Sequence, residues 1–137
     1  MITYTLFLAT IIYIPFSNSS WEYTVNTRNI KRIEWDKVNN LMRNSHAVLF
    51  DARPNYQYEK EHVPGALSLP YIEFAAFFKK YEKLKKDAII IVYCDGNDCS
   101  ASTRTSFKLI ARGFRSIFNA NGGLDEWNKK YRSLFVE

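Results

Sequence analysis

The chain has 137 residues, 47% of them hydrophobic and 24% charged, enough for one domain with its own core and no need of disulfide staples. Its net charge of +5 is moderate. The densest basic run, "KKYEKLKK" at 79–86, includes Glu82 and ends a helical pattern, so it reads as a solvated helix face and excludes a nucleic-acid surface there. Two cysteines and two distant histidines, His46 and His62, lack the paired short-spaced ligands of a structural zinc site, and no metal or cofactor is expected.

The first twenty residues, "MITYTLFLATIIYIPFSNSS", carry no charged side chain. Ile2–Phe16 is an apolar run shorter than the roughly 20 residues that span a bilayer, and the small, polar "SNSS" follows it. That layout predicts a secretory signal peptide over residues 1–20, cleaved near Ser19 or Ser20, although no basic residue precedes the apolar run. The mature domain then begins at Trp21 and works in a periplasmic or other extracytoplasmic space, with no stable membrane insertion. Retention of residues 2–16 as a membrane anchor is one alternative, and a structural N-terminal strand is another.

From Trp21 onward, short apolar runs alternate with helical patterns. Trp35, Val38, Leu41 and Met42 recur at helical spacing and predict a helix over Glu34–Arg43. Ala47–Phe50 and Ala66–Leu69 are candidate strands. Phe74, Phe77, Phe78, Tyr81 and Leu84 form the core-facing stripe of a helix over Tyr71–Leu84. Ala88–Tyr93, "AIIIVY", is apolar at every position, as a central strand covered on both faces would be. A helix over Thr103–Arg112 closes at Gly113, where a left-handed C-cap is wanted. A strand over Arg115–Asn119 and a helix over Leu124–Tyr131 complete the set. Strands alternating with helices predict an α/β domain on a largely parallel sheet.

Ligands of such folds gather at the carboxyl ends of the strands, where helix N-termini point. Cys94 directly follows the most apolar strand, and the loop Asp95–Ala101 leads into a helix that the Ser102 hydroxyl is expected to cap. Backbone N–H groups there make an anion cradle, and the same field favours the reactive thiolate. Cys94 is therefore the expected nucleophile. Cys99 has no strand directly before it. It is close enough in sequence to come within disulfide range, a Cα separation of about 4.4–6.8 Å. As a resolving or protecting thiol it would serve the site, and as a spectator it would only fill the loop.

These residues also reach a family. "DARPNYQYEKEHVPGA" at 51–66, "VYC" at 92–94, "ARGF" at 111–114 and "NGGLDEW" at 121–127 resemble, in order, the signatures of rhodanese-like domains. Together they span roughly Ile33 to Tyr131. The resemblance implies a fold of about five parallel strands flanked by helices. It also implies sulfurtransferase activity, in which a cysteine takes sulfane sulfur from a donor such as thiosulfate and passes it to a thiol or cyanide-like acceptor. The persulfide carrier carries over to Cys94. Donor binding carries over to its loop, Asp95, Gly96, Asn97, Asp98, Cys99 and Ser100, with Arg104 in the first turn of the next helix as a candidate cation. The loop is similar to a subset with Cys-x-Gly-x-x-Cys-x-x-Ser.

The chain departs from the family pattern in two places. Glu61 stands where a glycine precedes the histidine, and the loop carries Asp95 and Asp98 but no cation. Two carboxylates near a thiolate oppose its ionisation and repel an anionic donor. A rhodanese-fold binding or redox-sensing module built on the Cys94/Cys99 pair is accordingly the rival reading. Phosphatase or arsenate chemistry would need an arginine six positions after Cys94, where Ser100 stands. His62 is expected to fix its turn, Asp51 and Arg53 to form a structural network, and Trp127 and Gly122–Gly123 to pack and turn the chain.

Overall fold

The computed structural model describes residues 30–134; the expected signal peptide lies outside them. Five strands form one sheet, β1 (Lys31–Ile33), β2 (Val48–Asp51), β3 (Leu67–Ser68), β4 (Ile89–Tyr93) and β5 (Ser116–Ala120). The helices are α1 (Trp35–Asn44), α2 (Asn55–Lys60), α3 (Phe74–Phe78), α4 (Ala101–Ala111) and α5 (Gly123–Tyr131). Every strand pairing is parallel and the order is β1-β5-β4-β2-β3.

The central position of β4 follows from its composition. Alternate side chains of a strand leave opposite faces, so four buried residues in succession need cover on both. Ile91 and Tyr93 pack with Trp35, Val38, Leu49, Leu124 and Trp127 on the α1/α5 side. Ile90 and Val92 pack with Phe50, Leu69, Phe74, Phe78, Leu109 and Phe114 on the α3/α4 side. A strand buried this way ends in a well-fixed position, and Cys94 is the residue at that end.

The expected elements form, with three differences. The helix expected over Tyr71–Leu84 is shorter: α3 gives way to a tighter 3₁₀ turn at Lys79–Tyr81, where Tyr81 turns onto Phe50 at 4.9 Å between ring centroids and donates its hydroxyl to the Ser68 carbonyl. The aromatic stripe is core as expected. Secondly, β1 and α2 are additional elements. The sequence of β1 is the polar triplet Lys31-Arg32-Ile33, and α2 buries no residue, so neither carries an apolar period. Thirdly, α4 begins at Ala101 with Ser100 at its N-cap, and no side chain caps it. Ser102 is thus a second-position residue whose side chain is buried inside the fold. Gly113 ends α4 in the left-handed conformation expected of it (φ 92°).

Candidate active site

The site is built where β4 ends against the start of α5. Two hydrogen bonds clamp the cysteine loop to that helix: Leu124 N–H donates to the Cys94 carbonyl at 2.8 Å, and Asp125 N–H to the Asp95 carbonyl at 2.9 Å. The approach is close enough that Gly123 (φ 56°) has no room for a side chain. A Cβ there would meet the Cys94 carbonyl oxygen and lie 2.7 Å from the Asp95 carbonyl carbon. Trp35 Nε1 donates to the Gly123 carbonyl at 3.0 Å, which ties the helix start to α1. On the outer side, the Asn97 side-chain oxygen accepts from Gly122 N–H at 3.1 Å. The loop itself turns through a Cys99 N–H bond to the Gly96 carbonyl at 3.2 Å.

Cys94 is 2% exposed and is joined to Cys99 in a disulfide, with a Cα separation of 6.3 Å. The buried Ser102 hydroxyl lies 3.4 Å from the Cys94 sulfur. A disulfide sulfur has no proton to give, so the hydroxyl is the donor of this contact. In the reduced protein the same donor would favour thiolate over thiol, as would the first-turn N–H groups of α4, which have no intrahelical acceptor. A cleft beside the sulfurs is lined by Arg32, Gly96, Asn97, Cys99, Ser102 and Asn119, among others, with a free volume of about 10 Å³. That is room for about one water. A larger, mostly apolar cavity of about 410 Å³ lies elsewhere, between α1 and α5, and contains neither cysteine.

The carboxylate of Asp51 and the guanidinium of Arg53 form the buried network expected of them. Arg53 Nη2 donates to Asp51 Oδ2 at 2.6 Å and to the Glu61 carbonyl at 2.6 Å. Tyr93 donates to Asp51 Oδ2 at 2.8 Å and accepts from Val63 N–H at 3.1 Å. Burial and the Asp51 charge push the Tyr93 phenol far above its ordinary range. Burial also works against the Arg53 charge, but the hydrogen bonds and negative charge of Asp51 outweigh it, and Arg53 is held above its ordinary value. The network reaches the cysteine loop as well: Arg53 Nη1 lies 3.6 Å from Asp95 Oδ1. One of the two loop carboxylates therefore faces a cation.

Of the residues expected in the site, Cys94, Gly96, Asn97 and Cys99 line one cleft. Asp95 is turned to Arg53, Asp98 and Ser100 are exposed, and Ser100 begins α4. Arg104 does not line the cleft: it donates to the Tyr71 hydroxyl at 3.2 Å, with its guanidinium over that ring. His62 holds its turn, with Nδ1–H donating to the Tyr58 carbonyl at 2.8 Å and the two rings stacked. Sequence reasoning missed Arg32, Ser102 as a sulfur neighbour, and Asn119. Their approach to the cysteines depends on β1–β5 pairing and on the turn at which α4 starts. No local pattern carries either.

Comparison with known proteins agrees with this arrangement. Residues 34–130 match the model of the rhodanese-like domain. The chain is 28% identical over 107 residues to the thiosulfate sulfurtransferase GlpE of Pseudomonas syringae pv. syringae, covering 78% of this chain and 95% of that protein. It is 31% identical over 94 residues to the adenylyltransferase and sulfurtransferase UBA4 of Meyerozyma guilliermondii, covering 64% of this chain but only 22% of that one. It spans 28% of the tRNA uridine(34) hydroxylase of Cronobacter sakazakii, at 30% identity over 70% of this chain. In fold it is similar to the human single domain sulfurtransferase, with a TM-score of 0.62 at 23% identity over 72% of this chain and 96% of that one. A five-stranded parallel sheet with a cysteine at the end of its central strand, and a family match across most of the chain, identify this protein as a member of the rhodanese-like family.

Proposed function

We propose that the protein is a sulfurtransferase that carries sulfane sulfur as a persulfide on Cys94, and that its Cys-x-Gly-x-x-Cys-x-x-Ser loop pairs this carrier with a resolving thiol, Cys99. The observation that carries the reading is the position of the Cys94 sulfur at the end of β4, within 3.4 Å of the Ser102 hydroxyl and beside the start of α4. An external dithiol opens the Cys94–Cys99 disulfide by exchange, becoming a disulfide itself and leaving two thiols. The Cys94 thiolate then attacks the outer sulfur of thiosulfate. The S–S bond of the donor breaks, sulfite leaves with the bonding pair, and Cys94 becomes a persulfide. An acceptor such as cyanide or a thiolate takes the terminal sulfur and returns Cys94 as thiolate. When no acceptor is at hand, Cys99 thiolate attacks the inner sulfur, expels hydrosulfide and re-forms the disulfide. Removal of residues 1–20 during export fits this cycle, because an oxidising compartment lets the pair close.

The acid test of the carrier is turnover. Reduced protein, thiosulfate and cyanide should yield thiocyanate, and Cys94→Ser should abolish the product while its circular dichroism is unchanged. Thiocyanate formation that survives Cys94→Ser and vanishes in Cys99→Ser would assign the carrier to the other cysteine. The closed disulfide favours a second reading, a redox-sensing module without turnover. That reading requires reversible closure of the pair and no thiocyanate from the reduced wild type.

A further inference from the structure

We propose that Arg32, on the edge strand β1, is the cation that seats the anionic end of the sulfur donor beside Cys94. This role presupposes the Cys94 reading above and adds the residue that the cysteine loop itself lacks. The loop from Asp95 to Ser100 carries two carboxylates and no basic side chain, so an anion entering it needs a cation from elsewhere. Three arginines are candidates. Arg53 is fully engaged, with Asp51, the Glu61 carbonyl and Asp95 around it. Arg104 lies over Tyr71 and outside the cleft. Arg32 lines the cleft together with both cysteines, Ser102 and Asn119.

The placement of Arg32 follows from sheet geometry. Arg32 is the register partner of Asn119 on β5, so their side chains leave the same face of the sheet. The Asn119 amide fixes which face that is, since it donates to Thr103 Oγ1 at 3.2 Å and accepts from Ser106 Oγ at 2.8 Å, both on α4. Arg32 therefore stands beside the start of α4, on the side of the sheet toward which the Ser102 hydroxyl and the first-turn amides also converge. It is exposed, and beyond the backbone pairing of β1 with β5 its guanidinium makes no ion pair or hydrogen bond with any described residue. A planar guanidinium with its donors free is matched to two oxygens of one anion. Lys31, its neighbour, points to the opposite face and supplies a control of equal charge.

Two measurements test this role. In steady-state thiocyanate production, Arg32→Ala should raise KM for thiosulfate about tenfold, the loss of one charge-assisted contact, with kcat little changed; Arg32→Lys should fall between, and Lys31→Ala should match wild type. The second needs no turnover. Reduced protein is alkylated with iodoacetate, an anion, or iodoacetamide, which is neutral, and labelling at Cys94 is read by peptide mass. Arg32→Ala should lower the iodoacetate rate several-fold relative to iodoacetamide, and Lys31→Ala should leave the ratio at the wild-type value. Equal ratios in wild type and Arg32→Ala would overturn the assignment even if sulfur transfer itself is established. A lowered ratio in a protein that makes no thiocyanate would keep the anion site and sink the enzyme.

Discussion

Replacing Gly123 by alanine should disable the cysteine loop, and the effect can be worked from the geometry. The residue sits at φ 56°, where a side chain costs about 1–2 kcal/mol of backbone strain. The new Cβ would also meet the Cys94 carbonyl oxygen and lie 2.8 Å from the Asp95 carbonyl oxygen. Since both atoms are backbone, the loop must move as a unit, and the bonds from Leu124 and Asp125 N–H to those carbonyls stretch or break. At about 0.5–1.5 kcal/mol each, their loss brings the total to roughly 2–5 kcal/mol. For a domain of this size that lowers the thermal midpoint by on the order of 10–20 °C. Gly122→Ala is the comparison. It is also left-handed (φ 72°), but its Cβ would press on the Glu126 side chain and not on the loop. Thermal unfolding by circular dichroism gives the stability of each variant, and thiocyanate production well below both midpoints gives the loop. Gly123→Ala should lose activity out of proportion to its stability, and Gly122→Ala should not. A Gly123→Ala protein within about 1 kcal/mol of wild type and fully active would refute the clamp.

Tyr93→Phe removes one donor from Asp51, which keeps those of Arg53, and leaves the buried Val63 N–H without an acceptor; it should cost about 1–3 kcal/mol in urea unfolding. Because the folded Tyr93 phenol is held far above its ordinary value, its contribution is complete below the unfolded value of about 10 and is lost as pH rises beyond it; the alkaline fall in stability should be shallower in Tyr93→Phe, and an equal slope would mean another group governs it. Asp95→Asn removes the carboxylate facing Arg53 and should speed thiosulfate loading a few-fold, on the order expected for an exposed ion pair; unchanged loading would mean that this charge is not felt at the sulfur. The oxidised protein should resist iodoacetamide until a mild dithiol exposes both thiols, whereas two thiols labelled without reductant would remove Cys99 from the redox cycle.

How far the site was legible in the sequence depends on the range of the interaction that sets each part. Ile90–Tyr93 announces a central strand because burial on both faces leaves no polar position, and Cys94 follows from it. Gly113 ends α4 for a local reason, its left-handed φ. The pairing of Asp51 with Arg53 spans two residues and is legible too. Ser102 does not take the expected capping position because helix starts are set by the turn before them, and that turn, closed by Cys99 N–H on Gly96, puts Ser100 at the N-cap. Arg32 was invisible because a three-residue polar edge strand carries no period, and its value arises only when β1 pairs with β5. Arg104 follows the loop at the start of the next helix, which makes it a candidate in sequence, but its guanidinium finds its partner in Tyr71.

The central claim is that sulfur rides on Cys94. Reduced protein incubated with thiosulfate, freed of excess donor and measured by intact mass, should gain the mass of one sulfur atom, and peptide mapping after alkylation of the persulfide should locate it on the peptide containing Cys94. The gain should be absent in Cys94→Ser and present in Cys99→Ser. No added sulfur on the reduced wild type with any sulfane donor, or sulfur found on Cys99, would contradict the account.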